Sequence, residues 1–584
     1  MKRLAEACER IAATTKKLEK VAIVAGYLRA VVPYDAAVAA VFLSGHPFPL
    51  WEETRLQVGG TLLWRVVEEL SGKSREELTT AYRRLGDLGA VAAEVLPRHV
   101  GKDPSARAGR TELDDTKSEL SVAEVQNRFR QIAAARGPVA KGTLVRDLLF
   151  HVSPLEAKYI IKITTGDLRI GLKESLVEEA IAKTYAVTLA KVQRANMLLG
   201  DIGETLRLAA ANKLDEARMR LFHPLGFMLA SPATSAEEAL SYFQNVWVED
   251  KYDGIRAQAH CSGNRVQLFS RTRDDITESL PELSEALAGL PKDAILDGEI
   301  VAWSYLTADA GEAGRALPFS ALQQRLGRKR VSDQLMRRVP VAYLAFDILY
   351  AGGDLLIDHP LHERGKLLDE LLTAKRVATR ARSTAAQGAL ALESAEPGFA
   401  SQVLRAPMFT AASPAELDRL FEAAQARGNE GLMIKDPASI YAPGRRGRSW
   451  LKLKRELATL DVVVTAVEYG HGKRIGVLSD YTFAVWDEDK LFNIGKAYSG
   501  LTDAEISEMT KWFLEHTIED QGSRLIVEPK IVLEVAFNNM MRSDRHNSGY
   551  ALRFPRIVRL RPDKLPEEAD TIATVKEIFE RQSK

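Results

Sequence analysis

The residues of this chain best suited to chemistry are charged side chains that end apolar, strand-like runs. Lys251 stands first among them. Val246, Trp247 and Val248 lead into Glu249-Asp250-Lys251-Tyr252-Asp253-Gly254-Ile255-Arg256, and alternation resumes through Ala257, Gln258, Ala259 and His260. The pattern predicts two strands about a tight turn, with Lys251 where the first strand ends. Gly254 has no side chain and would let backbone approach a ligand closely. A lysine amine is a nucleophile only when unprotonated, and its reference pKa is ~10.4. Desolvation and neighbouring cations favour the free amine. Arg256, Lys452 and Lys454 are candidates for those cations.

Alone, Lys251 would read as a solvated surface cation. Its company argues otherwise. Arg271 and Arg273 follow the next strand-like run. Further on come Leu296-Asp297-Gly298-Glu299, Ala345-Phe346-Asp347-Ile348-Leu349, Glu430-Gly431-Leu432-Met433-Ile434-Lys435 and Trp450-Leu451-Lys452-Leu453-Lys454. Each places charge at the end of an apolar run, which is how one pocket is assembled from several strands. Glu299 and Glu430 would repel phosphate unless a metal lay between, and such oxygen ligands suit Mg²⁺. Lys452 and Lys454 alternate with Leu451 and Leu453, so on a strand the leucines enter the core and the lysines face away. A solvated edge strand would look the same. The loop Arg445-Arg446-Gly447-Arg448 is too basic to be buried.

These groups must be held by elements the pattern also suggests. Residues 1–225 read as helical, with apolar residues such as Leu4, Cys8 and Ile11 at helical spacing. Breaks fall at Ser44-Gly45-His46-Pro47 and in an expected exposed loop over residues 97–116. Within this region Gly166 and Gly171 bracket a short basic segment. Its amides, with Arg169, could hold a phosphate; a helix–helix turn explains it equally. Residues 226–455 are mixed, with strands expected at 246–250, 255–260, 265–270, 294–302 and 341–350 and helices at 281–290 and 414–427. Residues 373–398 read as a variable connection. Residues 456–584 carry short strand-like runs and one helix near 502–516, which suits a small barrel of OB type.

Composition bounds the rest. A chain of 584 residues should hold three or four domains. No apolar run approaches the ~18–20 residues needed to span a membrane. The charged N-terminus lacks the apolar core of a signal peptide, so a cytoplasmic setting is expected, nucleoid-associated in a prokaryote. Two cysteines exclude a disulfide framework and a four-cysteine zinc site. With 80 basic and 79 acidic residues, any nucleic-acid contact must come from local clusters.

Lys251-Tyr252-Asp253-Gly254-Ile255-Arg256 resembles the nucleotidyl-lysine motif of covalent nucleotidyltransferases. The ordered series of motifs resembles ATP-dependent DNA ligases of the three-domain type, over nearly the whole chain. The resemblance implies a multidomain protein: an all-α DNA-binding domain (1–225), an α/β, or α+β, adenylation domain (226–455) and a C-terminal OB-fold β-barrel (456–584). It implies that Lys251 attacks the α-phosphate of ATP to form a lysyl-AMP. Glu249 would receive the adenine amino group and Phe346 would stack on the base, although Phe346 also fits a plain core aromatic. Arg256 and Arg271 would hold phosphate or ribose; Arg446, Lys452 and Lys454 would meet phosphate. Glu299 and Glu430 would serve the ribose hydroxyl and Mg²⁺. Arg561, Asp563 and Lys564 match the last motif and would touch the leaving pyrophosphate during self-adenylylation only, so this domain must swing. Arg169 and Gly171 match a DNA-phosphate segment. The expected partner is nicked duplex DNA, bound by a monomer, with a sliding clamp left open. An NAD-dependent ligase is disfavoured by the cysteine count and by the distance of Lys251 from the N-terminus. The long helical region argues against an RNA-ligating or capping relative. The intact Lys251, Glu299, Glu430, Lys452 and Lys454 argue against a catalytically silent nick-binding protein.

Overall fold

The computed structural model describes residues 1–49, 51–52, 54–97, 120–305, 314–326, 328, 331–386, 402–454, 458–470 and 474–583. Its N-terminal region is helical from Lys2–Ala12 to Ile202–Ala210. The local reason is plain at several starts. Ser74, Ser121 and Ser153 each cap a helix whose third residue is a glutamate that reaches back, giving reciprocal capping boxes. One apolar core runs through these helices from Met1 to Ala217. The expected break after Leu43 is a turn. Most of the expected loop, residues 98–116, lies outside the described residues.

The middle region is two facing sheets. The first contains β1 (Leu229–Ala233), β2 (Trp247–Asp250), β10 (Met408–Phe409), β11 (Leu432–Lys435) and β12 (Arg446–Leu453), in the order β1-β12-β11-β2-β10. The second contains β3 (Ile255–Ser262), β4 (Arg265–Ser270), β5 (Ala294–Ser304), β7 (Val341–Ala351) and β8 (Asp354–Leu355), in the order β4-β3-β5-β7-β8. Two short strands, β6 (Arg315–Ala316) and β9 (Val403–Arg405), pair with β5 and β7. A buried bidentate pair, Arg364 with Asp347 at 2.7 and 2.8 Å, ties the helix Leu361–Ala386 to β7. That helix takes in the first part of the expected variable connection. Its remainder lies outside the described residues.

The C-terminal region is a β-rich unit built on β13 (Ala458–Tyr469), which pairs with β14 (Leu478–Asp487), β17 (Arg524–Val527) and β18 (Val532–Phe537). It holds more than the expected single helix: Ile572–Ser583 is helical as well as Asp503–Glu515. Four strands also went unanticipated: β16 (Thr517–Asp520), β17, β19 (Asn539–Arg542) and β20 (Tyr550–Arg553). β21 (Arg556–Leu560) pairs with β18. Among the described residues no helix is long and apolar enough to cross a membrane.

Candidate active site

Strand register explains why the site's side chains converge. Glu249 lies opposite Met433, and Met433 opposite Lys452. Residues two apart on a strand share a face. Glu249 and Lys251, Met433 and Lys435, and Trp450, Lys452 and Lys454 therefore lie on one side of the first sheet. The other side carries Val248, Leu432, Ile434, Leu451 and Leu453, all buried in one apolar cluster. The expected division between the lysines and leucines of 450–454 holds.

Lys251 follows β2 directly. Its amide donates to Gly431 O and its carbonyl accepts from Glu430 N, both at 2.8 Å. This exchange holds the Glu430 backbone against the lysine. Gly431 is required there: its φ is +144°, and a Cβ would lie 2.3 Å from Leu453 O. The Lys251 and Lys454 ammonium groups both contact Glu430 Oε2. Burial would raise the Glu430 carboxyl, but those two ammonium groups outweigh it and hold it down to about 2. Lys454 and Lys452 are both pushed below the usual lysine range. Burial is the first cause in each case, followed by the like charge of Lys251. Lys452 also feels Arg446 and Arg271, so these cations share one neighbourhood.

The second sheet contributes the opposing wall. Arg256 pairs across strands with Glu299. Burial pushes the Glu299 carboxyl up to about 7, against the opposite charges of Lys251 and Arg256. Arg256 is tied to Asp297 by bonds of 3.1 and 2.7 Å and donates to Met228 O at 2.5 Å. The same Asp297 accepts from Tyr441 at 2.6 Å. Phe346 is the extra residue where Asp297 faces Asp347 and Gly298 faces Ala345. A bulge of this kind re-aims a side chain. Here the ring meets Lys435 at 4.3 Å, Arg256 at 5.4 Å and the Trp450 ring edge-on at 6.1 Å.

Several residues sit differently from the sequence expectation. The space beside Gly254 belongs to β5, not to a ligand: a Cβ would lie 2.3 Å from Ile300 O. Glu249 is buried and paired with Lys435 at 2.5 Å, a residue given no role from sequence. Arg271 is exposed, whereas Arg273 pairs with Glu174 of the helical region at 3.4 Å. Both arginines line a cavity of about 750 Å³ between that region and the sheets, which does not include Lys251, Glu299 or Glu430. The ion pairs of Lys251, Glu430 and Lys454 lie outside this cavity. Arg561 and Lys564 are engaged with Asp461, at 2.9 and 2.6 Å, and Arg561 also with Asp563 at 2.8 Å. A C-terminal residue does reach the loop that follows the lysine: Arg553 contacts Asp253. Burial and then Glu430 push the Asp253 carboxyl up to about 6, against the pull of Arg553. Arg169 bonds to Asp167 at 2.5 Å and Gly86 O at 2.7 Å, and Gly171 O accepts from the buried Lys20 at 3.1 Å. That segment is a helix–helix turn, with Thr165, Gly166 and Asp167 exposed.

The roles of Asp250, Arg427 and Asn429 were also unanticipated. Buried Asp250 accepts from both other side chains, each bond 2.8 Å, and so anchors the loop that ends in Glu430. The partners lie some 180 residues apart in sequence, so no local signal announces them.

Metal fit follows from the donor set. Glu299 and Glu430 carry hard oxygen atoms within electrostatic reach of Lys251. Among the described residues no group of three or more His, Cys, Asp or Glu could hold a metal. An ion here would complete its shell with phosphate oxygens and water, as Mg²⁺ does.

Three family models match the chain: "DNA ligase N terminus" over residues 1–182, "ATP dependent DNA ligase domain" over 227–454 and "ATP dependent DNA ligase C terminal region" over 474–564. A "Probable DNA ligase" of Koribacter versatilis is 58% identical over 582 residues, covering 100% of this chain and 97% of that protein. A "DNA ligase" of Methanothrix thermoacetophila is 36% identical, covering 99% and 98%. The solved structure "Pmar-Lig_PreS3" shares the fold, with a TM-score of 0.57 at 16% identity over 96% of this chain and 99% of that one.

Proposed function

The chain belongs to the ATP-dependent DNA ligases, and from that membership we propose that Lys251 is the nucleophile that carries AMP. The activity is DNA ligation with ATP (EC 6.5.1.1), joining a 3′-hydroxyl to a 5′-phosphate in duplex DNA. The Lys251 amine, having lost its proton, attacks the α-phosphorus; the bond to the β-phosphate oxygen breaks and pyrophosphate leaves. The adenylyl group then passes to the 5′-phosphate of the nick. Attack by the 3′-hydroxyl forms the phosphodiester and releases AMP.

The observation that carries this reading is the bridge in which one carboxylate oxygen of Glu430 meets both Lys251 and Lys454. A carboxyl held near 2 is a poor proton acceptor at neutral pH, so Glu430 stays ionised between the two cations. An incoming triphosphate competes for Lys454 and Lys452, and the displacement of Lys454 toward phosphate leaves Glu430 with one partner fewer. Glu299 and Glu430 would hold Mg²⁺, which supplies neutralising charge to the phosphates. Glu249 is proposed to accept from the adenine amino group and Phe346 to stack on the base. Arg256 reaches ribose or phosphate from its Asp297 anchor, and Arg271 and Arg446 reach it from the rim. Arg561 and Lys564 serve the pyrophosphate after exchanging Asp461 for it, with Asp563 holding Arg561, which requires the C-terminal domain to move. Residues 1–225 are assigned to DNA binding, with phosphate held at the exposed 165–167 turn beside Arg169 and Gly171. Most affinity then comes from phosphate contacts and falls with salt.

Incubation with α-labelled ATP and Mg²⁺, repeated with NAD and GTP, tests the assignment. Label retained by the wild type and lost in Lys251→Ala supports it. Absence of label in the wild type with every nucleotide overturns it.

A further inference from the structure

Lys435 and Glu249 form the most deeply buried lysine–carboxylate pair around the site. Their side chains are 1% and 4% exposed, and Nζ lies 2.5 Å from Oε2. Two aromatic faces enclose the ammonium, Phe346 at 4.3 Å and Trp450 at 4.4 Å. An apolar side chain in this position would fill the space without the desolvation cost of a buried charge, so fold stability alone does not call for lysine. The pair is also asymmetric. Oε2 of Glu249 is taken by Lys435, whereas among the described residues nothing donates to Oε1. Beside it, Trp450 Nε1 is buried without a partner among the described residues.

We propose that Lys435 sets the choice of purine: by pinning Glu249 through Oε2 it leaves Oε1 as an obligate hydrogen-bond acceptor for a 6-amino base. This rests on the reading above in which Glu249 meets the base. Adenine offers an N–H at position 6. Guanine offers a carbonyl oxygen there, which would face an ionised carboxylate with no proton between. Sites built around a buried hydrogen bond reject analogues that cannot make it far more strongly than apolar pockets do. The cation keeps Glu249 an acceptor. Without it, a buried carboxyl takes up a proton and becomes a donor as well. It would then tolerate the 6-oxo group of guanine. Lys435 thus acts through Glu249 as a positioning residue and need not touch the nucleotide.

The test compares self-labelling of the full-length protein by α-labelled ATP and by α-labelled GTP, with a cooperative thermal melt certifying each variant as folded. Wild type should take label from ATP at least ~10³-fold faster than from GTP. Lys435→Met should narrow that ratio to within about tenfold, while Lys435→Arg, which keeps the cation, should stay within about threefold of wild type. If Lys435→Met does not fold, Lys435→Gln removes the charge and keeps a donor, with the same narrowing expected. Glu249→Gln should narrow the ratio too. An unchanged ratio in Lys435→Met or Lys435→Gln, alongside a narrowed one in Glu249→Gln, would overturn the role of Lys435 and leave Glu249 as base partner. An unchanged ratio in Glu249→Gln would overturn the base-partner reading itself.

Discussion

The nucleotide pocket and the last strands of the C-terminal domain are both rich in ion pairs, yet the pairs are built differently. In the pocket, Glu430 and Lys251 face each other from paired β-strand ends whose backbones are hydrogen-bonded at 2.8 Å. Glu249–Lys435 and Asp250–Arg427 also join β2 to neighbouring strand or loop. On the C-terminal domain, Arg561 is paired with Asp461 and with Asp563 two residues on, and Asp563 is 57% exposed. The first set is locked by sheet register. The second joins side chains of one domain only: Arg561 and Asp461 are each 13% exposed, and Asp563 alone is open enough to yield to a competing phosphate at little cost. Groups that must act at every turnover in one geometry belong in the first setting; groups that serve one step and then leave belong in the second.

Four substitutions sharpen or break that contrast. Lys251→Ala should lower nick sealing by on the order of 10⁴-fold or more, measured on 5′-phosphorylated nicks, because a nucleophile has no substitute. Arg561→Ala should lower self-adenylylation by on the order of 10²–10³-fold yet leave sealing of pre-adenylylated DNA within about threefold. Equal loss of both activities would break the contrast. Arg427→Ala should destabilise the fold by about 2 kcal/mol in chemical denaturation, since Asp250 would stay buried with Asn429 alone. Asp563→Asn should leave the melting temperature unchanged, since Asp563 is exposed and Arg561 keeps Asp461.

The strands of the two central sheets were legible because they are long and buried. Val341–Ala351 and Ala294–Ser304 are almost wholly covered, and apolar runs lie on both sides of Asp347 in the first and of Asp297-Gly298-Glu299 in the second. Thr517–Asp520 shows why others were not: three of its four residues are exposed, so no apolar alternation marks it. The site's motif residues were visible as charges ending apolar runs. Their partners were not. Asp297 holds Arg256 from 41 residues away, and Lys435 holds Glu249 from 186 away. Such pairings depend on strand order, which local pattern does not encode. Gly254 was correctly singled out but for the wrong neighbour, because only the folded sheet shows Ile300 O against it.

The account stands on Lys251 becoming covalently charged. Intact-protein and peptide mass spectrometry after incubation with ATP and a divalent cation reads this directly. The account predicts one added adenylyl group on the peptide that carries Lys251, discharged when nicked DNA is supplied. An enzyme that seals nicks while that peptide never gains the group would contradict it.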